Sequence, residues 1–272
     1  MKIFANCLYL LQIYPESLCR HSKKALFLGQ TGEKTIYNFL KQNLYVLLLF
    51  GKKQKSMEVI NFAEKNSVVN RFMAELRDVS IQNDRIRFRR NLERIGEIMA
   101  YEISHRLHYS EKEVTTPLGT ARVNLPDDTV VLATILRAGL PFHQGFLSCL
   151  DDAENAFVSA YRKYKDKLNF DIFIEYIASP RLDGKVLVIT DPMLATGGSM
   201  ELSYKALLTK GTPKSVHVAS VIASRQAIDY VKQHFPDDTT LWVGAIDDQL
   251  DDHSYIVPGL GDAGDLAYGI KE

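Results

Sequence analysis

VLVITDPMLATGGSM, residues 186–200, decides the fold. Residues 185–190 form a nearly continuous, β-branched apolar run, the pattern of a strand buried on both faces. Residues 201–210 place Leu202, Ala206, Leu207 and Leu208 at helical spacing, and Gly211 follows as a stop. Between them lie Asp191, Pro192, Met193, Leu194, Ala195, Thr196, Gly197, Gly198 and Ser199. A strand that ends in a Gly-rich turn at a helix N-terminus is an anion site on physical grounds. Free N–H groups point outward, the helix dipole adds positive charge, and glycine lets a phosphate approach the main chain. Thr196 and Ser199 add hydroxyl donors, and Asp191 can accept from sugar hydroxyls. Two glycines in a βα turn are common; the acid together with Thr-Gly-Gly-Ser makes the pattern specific.

Further strands and helices alternate on both sides of this unit. Residues 129–136 (TVVLATIL) read as a buried strand, followed by Arg137, small residues, Pro141 and a helix to residue 150. A cation at the carboxyl end of such a strand lies where open α/β sheets bind ligands. A structural ion pair is the competing role for Arg137. Residues 215–222 and 241–246 read as strands around a helix over 225–234, which makes parallel βαβ units. The expected fold is α/β: an open, mostly parallel twisted sheet flanked by helices, with its site along the carboxyl edge of the strands. Residues 156–161 and 170–177 read as two strands joined by a basic connection beginning at Arg162. That pair is a hairpin arm able to close over a polyphosphate, or else an ordinary solvated turn.

The 272 residues suffice for a sizeable core. Hydrophobic residues make up 46% and charged residues 24%, a globular balance. Lys plus Arg and Asp plus Glu number 33 each, so nothing advertises nucleic-acid or membrane-surface binding. Cys7, Cys19 and Cys149 show no metal-ligand spacing and fit a reducing, cytoplasmic compartment. Residues 1–56 differ from the rest. They are basic, and their apolar run at 44–50 is far short of the roughly 20 residues that span a bilayer. Residues 3–14 imitate a signal peptide but lack a cleavage site. Gly29 to Thr35 misses the P-loop pattern because Glu33 stands where a glycine is required. The expectation is an N-terminal extension, 1–56, dispensable for chemistry, ahead of a catalytic domain over 57–272.

Residues 91–109 read as an amphipathic helix preceded by a basic cluster, residues 85–90. The cluster reads as a solvated face, or as a contact for an anionic effector or partner subunit. His105 and His108 read as a solvated or core-edge pair rather than metal ligands. Asp247, Asp248, Asp251 and Asp252 read as a solvated acidic loop, since they match no calcium loop. The tail, YIVPGLGDAGD at 255–265, is too glycine-rich for a helix or strand yet apolar enough for burial. It offers main-chain donors and acceptors that suit a flat heterocycle, with Asp262 facing a cation or a sugar.

With these stretches in view, residues 59–269 resemble the uracil phosphoribosyltransferase family, of the type I phosphoribosyltransferase fold. Residues 191–199 resemble its phosphoribosyl-diphosphate loop, with Asp-Pro where related families carry two acids. Residues 255–265 resemble its uracil loop, and 135–140 (ILRAGL) a third motif. The resemblance implies that Arg137, Arg162, Asp262 and the loop from Asp191 through Ser199 hold 5-phosphoribosyl 1-diphosphate. It implies that Ile256, Gly261, Asp262 and Ala263 receive uracil, with Asp191, Arg137 and Asp262 central to catalysis. Mg²⁺ carried by the diphosphate is the implied cofactor, GTP a candidate effector, and a homodimer or higher homo-oligomer the implied assembly. Pro141-Phe142-His143 and Leu266 depart from common members. The alternatives are a nucleotide-binding pyrimidine regulator on the same fold, and a transferase for another base.

Overall fold

The computed structural model describes residues 56–164 and 170–271, without the side chains of 161–173. The readings made for residues 1–55, including the P-loop near miss, the apolar runs, Cys7 and Cys19, lie outside the described residues. So does the connection 165–169.

The strand read at 185–190 is β7 (Val186–Thr190). It pairs in parallel with β4 (Val130–Leu136) on one side and β9 (Ser215–Ser224) on the other. Beyond β9 come β10 (Thr240–Asp247) and β1 (Glu58–Asn61), both parallel. Beyond β4 lies β5 (Glu154–Tyr164), parallel, and then β6 (Phe170–Ala178), which returns antiparallel as a hairpin. A two-residue strand, β8 (Met193–Leu194), pairs with β9 from within the Gly-rich loop. The sheet is therefore open and mostly parallel, as expected.

The unbroken apolar runs follow from cover on both faces. Val186 and Val188 share one buried cluster with Val69, Leu92, Ile95, Phe142 and Phe146. Those five come from α1 (Val68–Arg77), α2 (Arg85–Ser104) and α3 (Gly139–Leu147). Leu187 and Ile189 point the other way, into a second cluster with Met200, Leu207, Ile228 and Val231. The second cluster is supplied by α4 (Gly198–Leu208) and α5 (Arg225–His234).

Four readings are corrected. The helix expected at 91–109 begins at Arg85, because Asp84 caps it by accepting from the Ile86 and Arg87 N–H groups. The basic cluster is thus the first turns of α2, not a preceding segment. That helix ends at Ser104, and residues 109–126 form a hairpin not read in the sequence, β2 (Tyr109–Thr116) with β3 (Gly119–Pro126). Its strands are exposed on both faces, so no alternation of apolar and polar residues announces them.

The tail is not irregular throughout. Ile256–Val257, β12, pairs antiparallel with β11 (Gln249–Leu250), and α6 (Ala263–Tyr268) follows. Asp262 starts α6 by accepting from the Asp265 N–H at 3.0 Å, a cap that outweighs the helix cost of Gly264. Lastly, Asp247 is not part of a solvated loop: it is buried at the end of β10 and ion-paired with Arg77. Asp251 and Asp252 are exposed, and Asp248 bonds Arg225.

Candidate active site

The parallel strands end along one rim, where Asp191 follows β7 and Arg137 follows β4. Asp191 directly follows β7. Its N–H donates to the Ala219 carbonyl of β9 (3.1 Å), and its Oδ1 accepts from the Met193 N–H (3.3 Å). Pro192 accepts from the Ile222 N–H (3.0 Å), so the first half of the loop is tied to the neighbouring strand. Pro192, Leu194 and Ala195 are buried, while Thr196, Gly198 and Ser199 are half-buried. The apolar residues therefore anchor the loop and leave the hydroxyl-bearing turn at the surface. Asp191, Thr196, Gly197 and Ser199 line one small hollow.

Gly197 makes the turn from loop to helix. Its φ of +88° is left-handed, and its carbonyl accepts from the Glu201 N–H to open α4. The Ser224 hydroxyl supports the turn from below, donating to the Ala195 carbonyl at 2.5 Å while accepting from the Ala227 N–H. The result is a helix N-terminus presented at the rim, a fitting cradle for a phosphate.

Arg137 follows β4, the strand beside β7, and joins the tail. Its Nη2 donates to Asp265 Oδ1 at 3.0 Å, and its Nη1 to the Gly269 carbonyl at 3.5 Å. Of the two roles weighed for it, the ion pair is the one seen here. Arg89, from the basic cluster, donates to the Ala267 carbonyl at 2.6 Å. Two guanidinium groups thus satisfy carbonyls at the end of α6, where the helix dipole favours cations. The peptide bonds Leu136–Arg137 and Val257–Pro258 are cis.

Asp262 divides its oxygens. Oδ1 caps α6, and Oδ2 accepts from Tyr255 (3.5 Å) and Lys271 (3.4 Å). Burial raises this carboxyl's pKa. The Asp265 N–H, Lys271 and the Gly264 N–H outweigh it and hold the group below the usual carboxylate range. Ile256 and Ala263 are buried beside Leu260 in the cluster that also holds Ala195 and Met193, while Gly261 is exposed. Arg162 lies on β5 opposite Ile172; its side chain is outside the described residues.

Sequence reasoning missed the tail's supports. Arg77 donates from both Nη atoms to Asp247 (2.8 and 2.9 Å), and Asp247 accepts from the Gly259 N–H (2.9 Å). The strand-end position that singled out Asp191 applies equally to Asp247; Arg77 carries no comparable sign.

The family model for uracil phosphoribosyltransferase matches residues 63–270. The chain belongs to the uracil phosphoribosyltransferase family. A uracil phosphoribosyltransferase of Porphyromonas gingivalis is 68% identical over 215 residues, 79% of this chain and 100% of that one. One from Methanothermobacter thermautotrophicus is 45% identical, covering 67% of this chain and 83% of its own. The solved structure of the AQ2163 protein from Aquifex aeolicus superposes with a TM-score of 0.70 at 31% identity. It covers 78% of this chain and 98% of that one. The open parallel sheet with its β5–β6 hairpin is the architecture expected of a uracil phosphoribosyltransferase.

Proposed function

We infer that the rim transfers the 5-phosphoribosyl group from 5-phosphoribosyl 1-diphosphate to uracil, giving UMP and diphosphate. This is pyrimidine salvage, and family membership over most of the chain makes it the activity of this protein. A regulator that merely keeps the fold, or a transferase for another base, is not favoured. The observation that carries the site assignment is the Arg137–Asp265 pair. Arg137 follows β4, the strand paired with the one that leads into the phosphate loop, and its side chain bonds the base-binding tail.

In the reaction the bond from the anomeric carbon to diphosphate breaks, and a bond to the uracil ring nitrogen forms as that nitrogen gives up its proton. Little covalent work falls to the protein, which positions and stabilises charge. The turn from Thr196 to Ser199 grips the 5-phosphate, a remote handle whose binding orients the reacting carbon. Asp191 holds the ribose hydroxyls and faces the positive charge on the sugar. Arg137 and Arg162 neutralise the departing diphosphate. Magnesium would be carried by the diphosphate rather than held by a dedicated set of protein ligands, with Asp262 beside it, and would supply charge neutralisation there. Main-chain groups of Ile256 and Gly261 to Ala263 receive the pyrimidine. Cytosine, with an amino group in place of a carbonyl, leaves buried groups unpaired and is rejected.

We also take residues 1–56 as an extension outside the catalytic domain, because the family match begins downstream of them, at residue 63. A cytoplasmic enzyme fits the three cysteines without CxxC or metal-ligand spacing; no helix among the described residues is long and apolar enough to cross a membrane. A homodimer or higher homo-oligomer, with GTP as a candidate effector, rests on the family resemblance alone. The deciding experiment incubates the protein with labelled uracil, 5-phosphoribosyl 1-diphosphate and Mg²⁺, with hypoxanthine, orotate and cytosine in parallel. UMP from uracil alone is the expected result; product from another base would reassign the specificity.

A further inference from the structure

The base-binding tail has little secondary structure of its own between β12 and α6. Recognition of a pyrimidine by main-chain groups requires that this stretch be held in one conformation. Gly259 lies in its middle, three residues after Ile256 and two before Gly261. It is buried, with φ +59°, and a Cβ there would stand 1.9 Å from the Ile256 carbonyl oxygen. The position therefore demands glycine and a tight turn.

Both polar groups of this residue end on a single ion pair. The Gly259 N–H donates to Asp247 Oδ2 at 2.9 Å. The Gly259 carbonyl accepts from Arg77 Nη1 at 3.1 Å. Arg77 and Asp247 are themselves joined by two bonds, Nη1 to Oδ2 at 2.8 Å and Nη2 to Oδ1 at 2.9 Å. The side chains are 25% and 8% exposed. Each is the last residue of its element, α1 and β10, so the pair is mounted on the sheet and its covering helix rather than on loops. Gln82 adds a bond from Nε2 to the Leu260 carbonyl at 3.4 Å.

A bidentate pair is geometrically demanding, since a planar fork meets a planar carboxylate in few orientations. It fixes the peptide groups on either side of Gly259 as a template would. Burial raises the Asp247 carboxyl pKa, but Arg77 and the Gly259 N–H outweigh it and keep the group ionised.

We propose that Arg77 and Asp247 are positioning residues for uracil: through Gly259 they set the main chain of the base-binding loop, and so govern affinity and selectivity for the pyrimidine rather than for the sugar phosphate. Neither residue needs to touch the substrate. The inference rests on the reaction proposed above.

The test is steady-state kinetics of the full chain with both substrates varied, for wild type, Asp247→Asn and Arg77→Lys. Asparagine keeps an acceptor for Gly259 but loses the charge; lysine keeps the charge but loses the fork. For Asp247→Asn the KM for uracil should rise roughly tenfold or more, as expected for loss of a charge-assisted bond. The KM for 5-phosphoribosyl 1-diphosphate should stay within about twofold, since most of its assigned contacts, Arg137, Arg162 and residues 191–199, lie outside the tail, and Asp262 is held separately by its own cap on the helix that follows. The preference for uracil over cytosine should shrink, and amide hydrogen exchange should quicken at residues 256–263. Arg77→Lys should give a smaller rise in the same constant, and it carries the test if Asp247→Asn does not fold. Equal rises in both KM values, or a lower kcat with neither changed, would mean a purely structural pair and overturn the inference. Wild-type protein that makes no UMP would instead overturn the reaction itself.

Discussion

Tyr230 fills the space into which a side chain at Gly197 would project: a Cβ there would stand 2.7 Å from the ring's Cδ1. The same tyrosine donates its hydroxyl to Glu201 at 2.5 Å, one turn into the helix that Gly197 opens. A ring from α5 thus backs the phosphate turn, and an acid on α4 holds that ring. Gly197→Ala combines a left-handed backbone with this overlap. It should cost about 1–3 kcal/mol of stability and raise the KM for 5-phosphoribosyl 1-diphosphate more than that for uracil. Urea unfolding and two-substrate kinetics check both, and an unaltered variant would show that the turn tolerates movement.

Asp191→Asn keeps an oxygen for the Met193 N–H and removes the charge. Turnover should fall roughly a hundredfold or more, the scale for losing a preorganised electrostatic contact at a developing charge. The melting temperature should move by no more than a few degrees. Unchanged kcat would remove this acid from the chemistry.

Arg137→Ala should weaken 5-phosphoribosyl 1-diphosphate binding by roughly tenfold or more, measured by titration calorimetry with Mg²⁺ present. The Asp265 pair it leaves behind is solvent-accessible, with Arg137 42% exposed, so its loss should cost at most about 1 kcal/mol of stability. An unaltered affinity would confine this arginine to holding α6.

His217 supplies a pH dependence. Burial keeps its imidazole neutral, nearby Arg106 adds to this and Glu58 opposes it, so the pKa falls to about 4. Its Nδ1 accepts from the Trp242 Nε1–H at 3.2 Å, which also requires the neutral ring. The unfolded chain takes up this proton near pH 6.5 and the folded chain only near pH 4. The stabilisation is therefore complete above pH 6.5 and drains away as the pH falls towards 4. Between pH 7 and pH 5 wild type should lose on the order of 2 kcal/mol from this group. His217→Gln should flatten that part of the profile, and parallel slopes for the two proteins would assign the acid sensitivity elsewhere.

A chain starting at Met57 should remain soluble and keep kcat/KM for both substrates within about twofold, because the family match begins only at residue 63. Met57 is buried in the cluster under β1, so a start a few residues later should already destabilise the protein. Insolubility of the Met57 form would make the extension part of the working enzyme.

The sequence by itself determined the βαβ order, the Gly-rich turn after β7 and the tail as a candidate base-binding stretch. Each is a local pattern: apolar runs of strand length, an acid at a strand end, glycines where a main chain must be approached. It also carried Arg137 to the right edge, since parallel strands with helical crossovers must end on one rim. Only the tertiary structure decided what those residues lean on. Arg77 and Asp247 are 170 residues apart, and Ser224 and Ala195 are 29 apart. No period or spacing marks such pairs. Asp247 looked like one of four solvated acids until β10 delivered it beside a guanidinium. The β2–β3 hairpin escaped reading because neither face is buried. The α6 helix escaped because one capping oxygen on Asp262 overcame a glycine-rich composition. Burial and long-range ionic partners are properties of the folded chain, and they settled the rest.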